Sequence, residues 1–205
     1  MPNTTLNPVA DSRATVSEPM RSKKPLWRSV PVWVHAALLA LALGAMAWVN
    51  VELQTRYDAT GYPVTFFEGQ TTFSGDTVKG HFAELDRLGT LGVFADVQRF
   101  DFAFMASVAI FGLLGGLLIV RLTSGRVGRW VGYTTAIAAV TGAVSDAIEN
   151  LVSFIMLANP TGFADALAVA HSSFAVIKFA GLTFAMAAGA VGLVLVVVHA
   201  VRRQR

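Results

Sequence analysis

Four long apolar stretches, separated by polar segments, constrain the fold of this chain more than any other feature. We place them at about residues 31–51, 101–120, 130–157 and 172–201. A helix of about 20 apolar residues is long enough to cross the hydrocarbon core of a bilayer. A segment in lipid must satisfy its own backbone hydrogen bonds, so each stretch predicts an α-helix. The predicted fold class is all-α, an integral membrane four-helix bundle.

The composition is that of a membrane protein rather than of a soluble domain. Of the 205 residues, 54% are hydrophobic and 14% are charged, a balance typical of chains that lie largely in lipid. The absence of cysteine excludes disulfides, thiolate metal sites and thiol catalysis. The formal net charge of +3 comes from the chain ends and one loop. It therefore indicates topology, and we predict no nucleic-acid partner.

The segments outside the spans divide the chain into a tail and a membrane domain. Residues 1–29 are rich in Pro, Ser, Thr and Asn, which predicts a disordered cytoplasmic tail. Residues 30–205 form the four-span domain, whose sizeable loop is residues 52–100. Apolar residues at helical spacing predict an amphipathic helix over residues 76–88 of this loop, capped by Gly89. We expect the part before it to be extended or to form a short hairpin.

The distribution of Lys and Arg predicts the orientation. Five lie in the 1–29 tail, three in the 121–129 loop and three after residue 201. The much longer 52–100 loop has four among seven acidic residues, and residues 158–171 have none. Since cytoplasmic loops carry the excess of positive charge, both termini are predicted to be cytoplasmic and the 52–100 loop extracytoplasmic. The pattern suggests a cell membrane, in particular a bacterial inner membrane, and it also fits a eukaryotic membrane.

The third span carries polar residues that a lipid-exposed helix would not tolerate. Asp146, Glu149 and Asn150 follow one another at i, i+3 and i+4, so a helix places them on one face. A charge at the centre of a membrane helix costs about 2.5–3.5 kcal/mol, and acids within spans are usually functional. We interpret the three as part of a ligand, proton or ion site. The alternative is a structural polar clamp.

Lys178 in the fourth span is the predicted partner of these acids. It lies about 10 Å from the outer end of its span, and Glu149 about 12 Å from the outer end of the third. An opposite charge is the least costly way to keep a buried group ionised. We therefore predict that Lys178 pairs with Glu149 or Asp146, in a polar pocket in the outer half of the bundle.

Further polar residues at the same level complete the candidate site. Asn50, at the outer end of the first span, is an additional candidate, whereas His35 lies near the cytoplasmic end and is excluded. No H-E-x-x-H or comparable ligand pair occurs, so we assign no catalytic residue, metal ligand or cofactor. The candidate ligand- or ion-binding residues are Asp146, Glu149, Asn150, Lys178, Asp101 and His171.

Small residues in the second span predict close helix contact. Gly112 and Gly116 form a G-x-x-x-G pair, which lets two membrane helices approach closely. We interpret the pair as packing within the chain. The alternative interpretation is that the pair forms a contact surface in a homo-oligomer or with a partner membrane protein.

Two short motifs carry a resemblance to known proteins. The D-x-x-E-N motif at residues 146–150 lies late in the third of four spans, and a Q-x-x-D step at Gln98 and Asp101 begins the second. This arrangement resembles uncharacterised four-span bacterial membrane proteins over roughly residues 75–155. The resemblance implies a four-helix bundle and brings no activity with it.

Three function classes follow. The first is a membrane protein whose outer pocket binds a small ligand, lipid, proton or ion, with a role in transport as one version. The second is a structural or accessory subunit whose polar cluster specifies packing only. The third is an intramembrane enzyme acting on a lipid-linked substrate. We favour the first class over the second, because acids within spans are usually functional. The sequence has no convincing nucleophile–base pair, which disfavours the enzyme class.

Overall fold

The computed structural model describes residues 29–204, so the predicted tail lies outside the described residues except for its last one. The described part of the chain is helical throughout its regular structure and contains no strand, which confirms the all-α fold class. The helices are α1 (Val32–Asp58), α2 (Phe66–Gln70), α3 (Gly75–Leu88), α4 (Leu91–Leu122), α5 (Arg126–Leu157) and α6 (Asp165–Gln204).

Four of these helices are long and apolar enough to cross a membrane. They are α1, α4, α5 and α6, with 27, 32, 32 and 40 residues. At 1.5 Å per residue, a 32-residue helix is about 48 Å long, which exceeds the hydrocarbon thickness of about 30 Å. The helices therefore extend beyond the apolar stretches that mark the predicted spans. The protein is a multi-pass membrane protein built on a four-helix bundle.

The bundle is organised around α5, which packs along both α4 and α6, whereas α1 packs mainly along α4. Glycines permit the α4–α5 contact. A Cβ added to Gly112 would meet Ala139, and one added to Gly116 would meet the carbonyl oxygen of Gly132. The G-x-x-x-G pair thus packs two helices of the same chain, as predicted.

The segment between α1 and α4 folds over one end of the bundle. We call residues 59–90, which contain α2 and α3, the cap, and the end of the bundle that they cover the cap end. The opposite end is the arginine end, since the α4–α5 loop lies there. The predicted amphipathic helix is confirmed as α3, and Gly89 ends it with a φ of 73°. The expectation of an extended segment or hairpin before it is wrong, because α1 continues to Asp58 and α2 is a helix. Thr65 and Glu68 form a capping box that starts α2.

An apolar core joins α3 to the ends of the spanning helices. Val78, Phe82 and Leu85 of α3 are at most 2% exposed. They pack against Leu53 and Tyr57 of α1 and against residues of α4, α5 and α6. This burial explains why the spanning helices extend past their lipid-facing parts. The additional turns of these helices pack against the cap and not against lipid.

Candidate functional site

The six residues predicted for the site lie together beneath the cap. Each is at most 6% exposed, and ion pairs or hydrogen bonds link each one to another member. Glu149 is eight residues, about 12 Å, from the end of α5 at Leu157. We call this group the polar cluster, and its members are Asp101, Asp146, Glu149, Asn150, His171 and Lys178.

Lys178 holds the centre of the polar cluster. Its Nζ lies 2.9 Å from Asp146 Oδ1 and 2.6 Å from Glu149 Oε2. The predicted pairing with one of these acids is confirmed, and the lysine contacts both. Lys178 also donates a hydrogen bond of 2.9 Å to Gln70 Oε1 of the cap. A single ammonium group therefore ties α6 to α5 and to α2.

A second set of contacts joins α5 to α4. Asn150 Nδ2 donates to Asp101 Oδ2 at 3.0 Å and to the carbonyl oxygen of Gln98 at 3.1 Å. Gln98 Nε2 in turn donates to Ser153 Oγ at 2.7 Å. These residues form two i, i+3 pairs on facing helices, which is the spacing that puts side chains on one face. The polar face of α4 therefore matches that of α5.

His171 and Ser172 extend the site from α6. His171 Nε2 lies 3.5 Å from Glu149 Oε1, and both side chains are buried. Ser172 Oγ accepts a hydrogen bond of 3.1 Å from the backbone N–H of Phe73. The start of α6 thus contacts both the acids of α5 and the segment that follows α2.

The polar cluster has more acids than bases. Lys178 contacts Asp146 and Glu149, whereas Asp101 is bonded by Asn150 and His171 lies beside Glu149. Several of their buried polar atoms have no hydrogen-bond partner among the described residues. These atoms are Asp101 Oδ1, Glu149 Oε1, Asn150 Oδ1 and His171 Nδ1. Since buried polar groups are normally paired, the atoms mark a place that can accept a proton, a small ion or water.

A cavity of about 20 Å³ lies between the cap and the polar cluster. That volume suits about one water molecule. Its lining includes His171 of the polar cluster, Gln98 and Ser153 beside the cluster, and Phe66 and Gln70 from α2. Aromatic rings of the α1–α4 connection and of α3 and α4 complete the wall. In this conformation the cavity has no room for an organic ligand or a lipid chain.

Two sequence candidates lie away from the site. Asn50 is exposed on α1 and does not join the polar cluster, so that expectation is wrong. His35 is buried in the arginine half, where its Nε2 lies 3.0 Å from the carbonyl oxygen of Leu114. Its exclusion from the site agrees with the structure.

Gln70, Gln98 and Ser153, which contact the polar cluster or line the cavity beside it, are not among the six predicted site residues, and neither is Ser172 next to His171. Gln98 and Ser153 had a usable signal, because each lies at i±3 from a predicted site residue on the same helix face. Gln70 and Ser172 had none. Their contacts depend on how the cap folds back over the bundle.

The cap contains its own titratable pair outside the spans. His81 Nδ1 of α3 lies 3.2 Å from Tyr62 Oη. Burial lowers the pKa of His81 below its ordinary value, and burial raises the pKa of Tyr62. Both groups are therefore held in their neutral forms.

Within residues 29–204, no group of three or more His, Asp or Glu side chains is arranged to hold a metal ion. No protein-family model, curated protein or solved structure matches this chain.

Proposed function

We propose that the protein is a membrane protein whose polar cluster binds and exchanges a proton beneath the cap. The observation that carries this proposal is the presence of three buried carboxylates with one ammonium group, which contacts Asp146 and Glu149. One oxygen of Asp101 and one of Glu149 lack hydrogen-bond partners. Buried carboxylates in excess of their counter-ions are costly when ionised. A proton relieves that cost and needs no more room than the site offers.

The size of the cavity selects a proton over the larger ligands considered from the sequence. A cavity of about 20 Å³ accepts about one water, which suffices to relay a proton. The side chains are not arranged around a metal ion in the described part of the chain. A proton is therefore the ligand that fits the site without rearrangement of the helices.

Among residues 29–204, the polar contacts of the cluster extend toward the cap and not toward the arginine end. Gln70 and Ser172 link the site to the cap. Thr135, which lies on α5 nearer the arginine end, instead donates its hydroxyl to the carbonyl oxygen of Val131 in its own helix. This asymmetry favours exchange of the proton at one face over passage through the bundle. We further propose that the cap faces the extracytoplasmic side of a cell membrane, because the arginine end carries the excess of positive charge.

Infrared titration of the protein in nanodiscs tests the proposal. A carboxylic-acid band that responds to pH is expected in the parent and is expected to shrink in Glu149→Gln or Asp101→Asn. Glu52→Gln is the matched control, because Glu52 is on the outside of α1, paired with Arg56. The proposal is wrong if the band is the same in all variants. Native mass spectrometry with metal analysis of the same samples identifies a lipid or metal if one is bound instead.

A structural role is the second candidate, and one observation favours it. The contacts of the polar cluster join α4, α5, α6 and α2 in a single network. In that case Glu149→Gln would lower the melting temperature and leave the pH response of the infrared spectrum unchanged. An enzyme gains less support, because Ser153 and Ser172 accept hydrogen bonds from Gln98 and from the Phe73 N–H. Neither hydroxyl is presented to a base by these contacts.

The orientation has a separate test, which the absence of cysteine makes simple. Asp76→Cys is expected to react with a membrane-impermeant thiol reagent in intact cells, since Asp76 is highly exposed on the cap. Ser124→Cys, in the exposed α4–α5 loop, is expected to react only after the cells are opened. The opposite result would reverse the proposed topology.

A further inference from the structure

A short segment of the cap separates the polar cluster from the outside. It runs over residues 61–74, between the end of α1 and the start of α3, and contains α2. Phe66 and Gln70 of α2 line the cavity on its outer side, while Ser153 and His171 line it on the inner side. Displacement of α2 would therefore open the cavity and expose the polar cluster behind it.

The two ends of this segment have backbone conformations suited to a hinge. Gly61 has a φ of 68° and Phe73 a φ of 53°. Positive φ is common for glycine and unusual for a bulky residue such as phenylalanine. Residues in such conformations persist only where the surrounding contacts hold them. The hydrogen bond from the Phe73 N–H to Ser172 Oγ is one such contact.

The two halves of the cap differ in how firmly they are held. In α3, Phe82 and Leu85 are at most 2% exposed and belong to the apolar core. In α2, Phe67 is 57% exposed, and the helix has only five residues. Its buried polar contact is the one between Gln70 and Lys178. Phe66 is the one residue of α2 that packs against this core, and it is partly buried. Movement of α2 would therefore give up that contact and leave the buried residues of α3 in place.

We propose that residues 61–74 form the gate of the polar cluster, with Gly61 and Phe73 as hinges and Gln70 as the latch that closes on Lys178. This inference rests on the proposed function, since the gate controls exchange of the bound proton with the cap side. Lys178 is shared between the latch and the two acids Asp146 and Glu149. The gate therefore closes on the same ammonium group that compensates the charge of the site.

Thiol labelling in the cysteine-free chain tests the gate. Ser153→Cys places a reporter in the cavity wall, and its reaction with a polar maleimide is followed in nanodiscs. Adding Gln70→Leu removes the acceptor for Lys178, so the labelling rate is expected to rise about tenfold, as for loss of a hydrogen bond to a charged group. Gln70→Glu retains an acceptor for Lys178 and is expected to label more slowly than Gln70→Leu. Gln54→Leu, which alters an exposed glutamine of α1, is expected to change nothing.

Two controls separate gating from general loosening. Ser145→Cys lies eight residues, about 12 Å, deeper along α5 than Ser153, and it is expected to stay unlabelled in every variant. Met156→Cys, also in the cavity wall, replaces Ser153→Cys as the reporter if that variant does not fold. The gate is refuted if Gln70→Leu labels at the rate of its parent, or if Ser145→Cys becomes reactive with it.

The same samples distinguish this proposal from the one on which it rests. An unchanged labelling rate, together with an infrared carboxyl band that still depends on Glu149, refutes the gate and leaves proton binding intact. A faster labelling rate in Gln70→Leu, together with a band insensitive to Glu149→Gln, refutes proton binding and leaves a gate for some other small species.

Discussion

Lys178 Nζ lies 2.6 Å from Glu149 Oε2, inside the bundle and away from water. This contact joins the two spanning helices α5 and α6 at the level of the polar cluster. Neither charge would be favourable alone at this depth, because each ion loses its hydration on burial. The two charges therefore stabilise each other inside the bundle, and removing one of them is expected to destabilise the folded protein.

Lys178→Met is expected to destabilise the protein by about 3–5 kcal/mol, the effect of removing one partner of a buried ion pair. It leaves Asp146 and Glu149 without their cation. Adding Glu149→Gln is expected to restore part of the loss, because it removes one unpaired charge. Unfolding in detergent with increasing denaturant measures both effects. Lys79→Met is the control, since Lys79 pairs with the exposed Asp165 and such pairs contribute at most about 1 kcal/mol. A double variant no more stable than Lys178→Met would contradict this account.

Asn150→Leu is expected to reduce stability by about 1–3 kcal/mol, because it leaves the buried carboxylate of Asp101 without its donor. The Nδ2 group of Asn150 bonds both this carboxylate and the Gln98 carbonyl oxygen. Asn50→Leu makes the same change at an exposed position of α1 and is expected to have little effect. Melting temperatures of the two variants, measured side by side, give the comparison. Equal melting temperatures would show that the contact to Asp101 is not stabilising.

Gly116→Ala is expected to destabilise the α4–α5 contact by about 1–3 kcal/mol, the usual effect of overpacking. The added Cβ would meet the backbone oxygen of Gly132, which cannot move aside without separating the helices. Gly115→Ala is the matched control in the adjacent position. Its Cβ would find Leu39 Cδ1 at 3.7 Å, an ordinary contact, so we expect stability to be unchanged or slightly higher. Thermal unfolding that ranks Gly115→Ala below Gly116→Ala would refute the packing described for α4.

The cap is expected to lose stability as the pH falls below about 6.5. Burial lowers the pKa of His81 from its ordinary value of 6.5, so the unfolded state binds a proton more readily than the folded one. Stability from the neutral imidazole is then fully present above pH 6.5 and is lost as the pH falls through the folded-state pKa. Hydrogen exchange of the α3 amides above and below this pH measures the change.

His81→Gln is expected to flatten that pH profile, while His199→Gln, in α6 at the arginine end, leaves it as in the parent. Any pH dependence of the exchange rates that remains in either variant comes from other titrating groups. A profile that His81→Gln does not alter would assign the pH dependence of the cap to another residue.

The spanning helices and much of the polar cluster were predictable because their signals are local. Apolar runs predict membrane helices, since each helix satisfies its own backbone hydrogen bonds in lipid. The i, i+3, i+4 spacing of Asp146, Glu149 and Asn150 places them on one face without knowledge of the neighbours. Comparing depths then sufficed to pair Lys178 with these acids. Asn50 failed on the same reasoning, because depth alone does not tell which face of α1 meets the bundle.

The part before α3 was predicted poorly for the opposite reason. Residues 52–64 continue α1 and then turn, and α2 has only five residues, too short for a periodic signal. A capping box at Thr65 and Glu68 was the one local sign of a helix start there. In the folded protein Phe66 of α2 packs edge to face against Tyr57 of α1, with ring centroids 4.7 Å apart.

The four spans, the amphipathic α3 and the helix faces that carry charge follow from the sequence alone, because hydropathy and helical periodicity act within each helix. The contacts of Gln70 with Lys178 and of Ser172 with Phe73 depend on how the helices pack. These contacts join residues about 100 positions apart, and no local pattern encodes them. They arise because the apolar face of α3 must be buried on the bundle, and this burial carries α2 over the polar cluster.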